Sequence, residues 1–495
     1  MFTESAVAVA ALAVAYVYWR FGRNAPFLPG VPFPASLHQP FLGVAGLLGS
    51  IDGCDRLFAD AADANGMVSF RLLTTNAVSV LKAAHVRQVV CATSYREMVP
   101  ILGNHLRKLL GGASLLLLSR HEWKGHRRLI AKAFHWQSLA QMVLTMVAVA
   151  EAFVDVALQT AGGASVDVAP LLKLAALDTI GRCAFDYDFE ALANGTNDVT
   201  SAFEFLLNEA KRRGFDDTLH PASLWYDLPT PANRRYKREA RILRSTLESI
   251  VVARMSDHAT TKHDLLGSLL AAAADESSAV TPTTLADNLL TFLFAGFDTV
   301  AIALAYAMHL LSTHPDVQAK ALAEVEAVVG RSGSITYEAI GRLPYVYAVM
   351  TEALRLFPPG PGTSRTLEAD LVLDGHSIPA GTLVYLPIWE INRSRLNWGD
   401  DADAFRPERH VEEGASDESS SDRAFRMMSF SAGPRNCVGM RFAMLEAVVV
   451  LATTLRRCTL TRSSDAPPVT PKISGILQVP ANGVWVRVAP LPPGA

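Results

Sequence analysis

Apolar and polar positions recur with a helical period through the middle of the chain. From about Arg120 to Val329, amphipathic stretches follow one another, interrupted by loops such as "HPASLWYDLPTPAN" and "DESSAVTPTT". Apolar residues at three- to four-residue intervals predict packed helices there. One stretch breaks the pattern. "LADNLLTFLFAGFDTVAIALAYAMHLL" is apolar on nearly all sides, which predicts a long helix buried along its length. Thr281 suits its cap, Pro282 its first position, and His314-Pro315 its end. Short β-like runs ("MVSFRLL", "AVSVLKA") precede the helices, and past Leu356 the chain turns to Pro, Gly and strand-like stretches ("DLVLDGHSIPAGTLVYLPI"). An acidic, Ser-rich loop follows at Glu412–Asp422. A last helix is predicted from after Cys437 to about Arg457, ending in basic residues that suit its dipole. No linker stands out inside residues 35–495, so the pattern predicts one large, mainly α domain with a long central helix and a minor β-sheet.

Composition narrows the function. Half of the 495 residues are hydrophobic, enough for a sizeable core. A net charge of −3 gives no support to a nucleic-acid partner. Cys54, Cys91, Cys183, Cys437 and Cys458 are odd in number and scattered, with no zinc spacing, so a reducing compartment is expected. Ser5 to Trp19 carries no charge. As a helix that run would span roughly 22 Å, short against a hydrocarbon core of about 30 Å. Glu4 argues against a signal peptide, whereas Tyr16, Tyr18 and Trp19, followed by Arg20 and Arg23, suit a retained anchor with its basic flank in the cytosol. The expected organisation is an anchor and basic flank at 1–23, a hinge at 24–34 stiffened by Pro26, Pro29, Pro32 and Pro34, and a catalytic domain at 35–495.

The strongest local signal is "FSAGPRNCVG", Phe430 to Gly439. Cys437 falls between a Gly/Pro-rich loop and a helix start, where free N–H groups and the dipole stabilise a thiolate. A cysteine alone is more often a small core residue. The full pattern reverses that reading, because it resembles the haem-binding signature of the cytochrome P450 family at Phe430, Gly433, Arg435, Cys437 and Gly439. In that family the cysteine is the axial ligand of the haem iron and favours O–O cleavage. The resemblance further implies that Gly433 turns the loop, Arg435 reaches a propionate, and Gly439 lets the porphyrin lie close to the backbone.

Three other constellations agree. In "AVMTEALRLFPP", Glu352 and Arg355 share a helix face, which alone is commonly a surface pair of little worth. With Arg409 of "FRPERH", the resemblance implies a buried Glu–Arg–Arg network that braces the cysteine loop. In "AGFDT", a mid-helix Thr usually bonds back to a carbonyl and a buried Asp is usually paired. Here Ala295, Gly296, Asp298 and Thr299 resemble the family's oxygen-activating motif, with Thr299 as hydrogen-bonding residue and Asp298 as proton relay. In "HEWKGHRRLIAKAF", Trp123 and Arg127 stand at i and i+4 on one helix side. The resemblance implies that both contact a haem propionate, with Arg365 of "PGTSRT" a further candidate. Lys124, Arg128 and Lys132 form a neighbouring row, either a solvated face or a docking surface for an acidic electron donor. His121 and His126 are read as surface or hydrogen-bonding residues.

The motifs span Trp123 to Gly439, and the fold implied is a single large cytochrome P450-type domain. Departures are few. Ala295 stands where some fatty-acid ω-hydroxylases carry Glu, so covalent haem attachment is not expected. Asn392 replaces a common His, and "ASLLLLSRHE" fits the pattern only loosely. The function implied is a membrane-bound haem-thiolate monooxygenase that hydroxylates or epoxidises a lipophilic substrate, fatty acid, sterol or terpenoid-like. Its cofactor would be haem b. Electrons from NADPH would arrive through a separate flavoprotein reductase, since no Gly-rich dinucleotide fingerprint follows a strand, with cytochrome b5 as a candidate second partner. The expected place is the endoplasmic reticulum membrane, with the catalytic domain cytosolic. The alternatives are a haem-thiolate isomerase or dehydratase acting on a peroxide without external electrons, and a non-catalytic haem sensor. The Asp298–Thr299 pair argues against both. Substrate contacts by family position are Phe294, Ala295, Phe297, Thr363 and the region of Ile476, each equally readable as core.

Overall fold

The computed structural model describes residues 26–492, apart from 40–42, 74, 94, 96–99, 119, 196, 214–224, 226, 257–263, 276–280 and 413–419. The expected anchor at 1–23 lies outside the described residues, as do the first two hinge positions and much of the acidic loop. The chain divides into two compact units, one drawn from Met1–Glu97, Gly360–Ala404 and Glu418–Asn436, the other from Met98–Pro359, Phe405–Asp417 and Cys437–Ala495.

The first unit holds the main sheet. The two β-like runs become strands β1 (Met67–Leu72) and β2 (Thr75–Val80), paired as an antiparallel hairpin. They share a sheet with β3 (Thr363–Thr366) and β4 (Leu383–Leu386) in the order β1-β2-β4-β3, in which β2 and β4 run parallel. Helix α1 (Ile51–Phe58) covers one side, burying Leu57 and Phe58 with Val68 and Phe70. The described part of the proline hinge is docked on this unit. Leu28 and Val31 enter its core, and Ser69 donates to the Pro32 carbonyl from both its N–H (2.8 Å) and its hydroxyl (2.9 Å). Apolar side chains between the prolines therefore anchor a segment that has no ladder of its own.

The second unit is helical. Its main helices here are α2 (Arg120–Ala133), α3 (Trp136–Ala161), α4 (Val168–Phe185), α5 (Asp198–Lys211), α6 (Pro282–Thr313), α7 (Pro344–Leu356) and α8 (Met440–Arg457). A hairpin of β5 (Pro471–Ser474) and β6 (Leu477–Pro480) packs on α6 through Leu477, with Ile302 and Tyr306. The central helix α6 has the boundaries that its signals predict: Thr281 accepts from the Thr284 N–H, Pro282 opens the helix, and His314 follows its last residue. Gly296 is where α4 comes close, since a Cβ there would stand 3.3 Å from Ile180 Cδ1.

The buried polar residues Asp287, Asn288 and Thr291 near the start of α6 find partners, as buried polar groups must. Asp287 accepts from Arg244 (2.5 Å) and from the Ala113 N–H (2.9 Å), Asn288 accepts from the Leu115 N–H (3.2 Å), and Thr291 bonds Ser114 (2.7 Å). The segment before Trp123, only loosely patterned in sequence, is thereby stapled to the helix. Among the described residues, α3 and α6 are long and apolar enough to cross a membrane, but 83% of the apolar window of α6 is buried within the protein.

Candidate active site

Cys437 lies three residues before Met440, the first residue of α8, and Gly439 caps that helix. Its side chain has accessible surface, yet burial raises its thiol above the usual range. Both hold if the sulfur lines a recess rather than the outer face. The N–H groups of Gly439 and Met440, and the charge of Arg127, act in the opposite direction and favour thiolate. A Cβ on Gly439 would lie 4.0 Å from the sulfur and 3.8 Å from the Phe134 ring, in ordinary van der Waals contact with both.

Helix α2 brings Trp123 and Arg127 to the same region. Trp123 is buried, and Arg127 is half-buried with its pKa lowered by burial, against the Cys437 thiolate. Lys124, Arg128 and Lys132 are exposed on another face.

The next group of candidate residues lies on α6. Almost all of this helix is buried, but Ala295 is exposed and Gly296 and Thr299 are partly so. Ala295 and Thr299 are four apart, so the accessible strip follows one side of the helix. The Thr299 hydroxyl donates to the Ala295 carbonyl at 2.6 Å. Asp298 points elsewhere. It is 1% exposed, with Oδ2 accepting from Lys211 at 3.1 Å and Oδ1 2.9 Å from Lys173, the latter an ion pair without hydrogen-bond alignment. Lys173 lies on α4 and Lys211 ends α5. Neither lysine was visible as a partner in sequence.

The Glu352 network is larger than its motif. Arg355 Nε and Nη2 each donate to the carboxylate at 2.8 Å, and Arg409 Nε donates at 2.9 Å. His410 Nε2 (2.8 Å) and the Arg406 N–H (3.1 Å) complete the set. Glu352 and Arg355 are fully buried and Arg409 is nearly so. Burial alone would raise the carboxyl pKa, but the hydrogen bonds and charges of Arg355 and His410 outweigh it and hold it down at about 2.

Within the first unit, the residues that lead to Cys437 form a tight turn. Ser431 has φ +57°, and Gly433 has φ +72° with its Cβ position 2.9 Å from the Val90 carbonyl oxygen, so only glycine fits there. Arg435 ends a short 3-10 turn, and Phe430 is half-buried. Arg365 is buried on β3, donating to the Ser364 carbonyl (2.8 Å), Ser431 Oγ (3.2 Å) and the Ala432 carbonyl (3.5 Å). It braces the turn itself.

The substrate candidates separate. Phe297 is core, 1% exposed and edge-on to Phe203 at 5.4 Å, and Phe294 is 9% exposed. Ile476 is partly buried against the Ile302–Tyr306 cluster, and Thr363 is half-buried on β3.

The cytochrome P450 family model matches residues 34–486. Cytochrome P450 4X1 of Rattus norvegicus is 30% identical over 77% of this chain and 76% of its own. Protein LUTEIN DEFICIENT 5, chloroplastic, of Arabidopsis thaliana is 31% identical, over 72% of this chain and 61% of its own. The 11-oxo-beta-amyrin 30-oxidase of Glycyrrhiza uralensis is 35% identical, over 68% and 64%. The residues tied to Cys437 fit the cofactor that this family carries: an accessible sulfur meets N–H donors at a helix start and the charge of Arg127.

Replacing Glu352 with Ala leaves Arg355 and Arg409 uncompensated and should destabilise the protein by about 3–5 kcal/mol. We expect haem content of the purified variant, read by absorbance, to fall to background. Because the folded pKa lies near 2, below the ordinary 4.5, the stabilisation by Glu352 is complete above pH 4.5 and is lost as pH falls towards 2. The stability gap between wild type and Glu352→Gln in denaturant titrations should shrink across that window; a constant gap contradicts the assignment.

Proposed function

Since this chain belongs to the cytochrome P450 family, we propose that Cys437 ligates its haem iron and that it inserts one oxygen atom of O2 into a lipophilic substrate with electrons from a separate NADPH-dependent flavoprotein reductase. As a cytochrome P450 monooxygenase it is an oxidoreductase. The observation that carries the reading is Cys437 itself, an accessible sulfur that meets two main-chain N–H donors and the charge of Arg127.

The bound haem supplies the redox chemistry. The protein's own residues have the remaining tasks. The N–H groups of Gly439 and Met440 hold the thiolate charge on Sγ and set how strongly the sulfur donates. Trp123, Arg127, Arg365 and Arg435 are assigned to the propionates, for which permanent guanidinium charges are suited. Thr299 presents its hydroxyl on the accessible strip of α6, where it can exchange the Ala295 carbonyl for another acceptor. Asp298 is assigned to proton delivery, with its two oxygens beside the ammonium protons of Lys173 and Lys211. The Glu352 network has no chemical step; it fixes α7 against Arg406–His410.

The relative named 11-oxo-beta-amyrin 30-oxidase supports a lipophilic substrate without specifying one for this chain. Phe294, Ala295, Thr363 and Ile476 are the proposed contacts. Exposed Lys124, Arg128 and Lys132 support docking of an acidic electron donor, the reductase first and cytochrome b5 second. We place the protein on the endoplasmic reticulum membrane through residues 1–23, with the catalytic part in the cytosol.

The reduced protein with carbon monoxide should absorb at the red-shifted position of thiolate ligation, and Cys437→Ser should lose that band. Survival of the band in the variant would falsify the assignment. Thr299→Ala should consume NADPH with the reductase while forming little product, so the ratio of product to NADPH falls about 10-fold or more, the usual scale for a positioned proton-transfer group. Unchanged coupling removes Thr299 from the chemistry, and efficient turnover of a lipid hydroperoxide without reductase overturns the monooxygenase reading.

A further inference from the structure

A cleft of about 670 Å3 opens within the first unit between α1, the turn that precedes β1, and residues 389–396. That volume lies in the range of small-molecule pockets, roughly 300–1,000 Å3. None of its lining residues takes part in the Cys437 site.

Several of its charged groups are already matched. Arg393 stacks on the Trp389 ring at 4.5 Å and pairs with Asp403 at 3.3 Å. Asp63 Oδ1 accepts the N–H groups of Asn65 and Met67 and closes the turn. Asp55 and Glu390 are different. Glu390 lines the cleft, 5% exposed; its own main-chain N–H bonds the carboxyl, but Oε1 has no hydrogen-bond partner. Asp55 has the Trp389 side chain as a hydrogen-bond partner and the Arg393 charge near it, which oppose the effect of burial, while Asp60 and Asp52 add to that effect. Burial raises the carboxyl pKa of both; the negative charge of Asp55 raises Glu390 further, to about 8. A buried acceptor without a partner and a second carboxyl beside it are each unfavourable, and a positive donor relieves both.

We propose that this cleft binds an organic cation, a ligand with an amidinium or primary ammonium group on a small apolar body, whose N–H groups donate to Glu390 and Asp55. Among the described residues, no three His, Cys, Asp or Glu side chains are grouped as a metal would need, which favours an organic cation over a metal ion. The walls supply the apolar body with Trp389, Leu81, Leu396 and the small side chains of Ala59 and Ala62. A planar amidinium satisfies two acceptors at once.

Proton linkage follows from Glu390. The ionisable groups that face it are Asp55 and Cys54 on α1 and Tyr385 on β4, while Asp63, Asp403, Arg393 and Arg395 line the rest of the cleft. Burial holds the Cys54 thiol and the Tyr385 hydroxyl well above their usual ranges, so neither titrates between pH 6 and 8. Glu390 must give up its proton to pair with the cation.

The test is calorimetric titration of the full-length holoprotein with benzamidine. We expect release of close to one proton at pH 7, obtained from buffers of different ionisation enthalpy. Affinity should rise up to about 10-fold per pH unit from pH 6 and level off above about 8. Glu390→Gln should weaken binding at least about 10-fold and abolish proton release. Asp55→Asn should weaken binding in the same direction, and Asp465→Asn, at an exposed acid outside the cleft, should leave it unchanged. An unaltered carbon monoxide spectrum in each variant certifies the fold. No binding at millimolar benzamidine, affinity indifferent to Glu390→Gln, a Soret shift on titration that places the amidine at the haem, or displacement by calcium or magnesium each overturns the proposal.

Discussion

Glu352 is a full negative charge with no route to water, and the second unit is arranged around satisfying it. A carboxylate so placed is tolerable only when every lone pair has a donor. Among the described residues, donors come from Arg355 one turn along α7, from the Arg406 N–H, and from the side chains of Arg409 and His410. Hydrophobic residues in the same volume would give comparable stability, so energy alone does not explain the network. What it provides is register. An apolar contact allows residues 406–410 to slide against α7, whereas a shared carboxylate fixes one arrangement.

The central helix α6 applies the same rule in another form. A helix buried on nearly every side can carry polar groups only where partners wait for them. Asp287, Asn288 and Thr291 hold Ala113–Leu115, and Asp298 holds Lys173 and Lys211. Ala295, between these clamps, and Thr299, just past the second, are left accessible. The accessible strip of α6 thus adjoins residues that are tied down to neighbouring segments.

Local features were legible in the sequence; convergent ones were not. The ends of α6 could be read because a cap, a first-turn proline and a stop signal act within a few residues. Glu352 and Arg355 follow from an i, i+3 spacing, and Arg409 came from the family motif. His410 and the Arg406 N–H escaped, since their contact depends on how the chain turns between Phe405 and His410. Lys173 and Lys211 escaped for a stronger reason: they reach Asp298 from two other helices, and an isolated Lys on an amphipathic helix carries no sign of its partner. The hinge was read from its prolines as a spacer. Leu28 and Val31 between them were the available sign that this segment also packs. Gly296 and Arg365 were read towards the cofactor, and the structure adds a nearer role for each, against Ile180 and the Ser431–Ala432 turn.

The lysine clamp on Asp298 has a consequence for how this chain can drift. Two ammonium groups from separate helices share one buried carboxylate, so loss of the acid strands a pair of like charges, while loss of either lysine leaves the other able to hold it. The three positions are therefore unequal in inheritance. A lineage can exchange one lysine at a time, but losing the second strands a carboxylate that is 1% exposed, so Asp298 has to go with it.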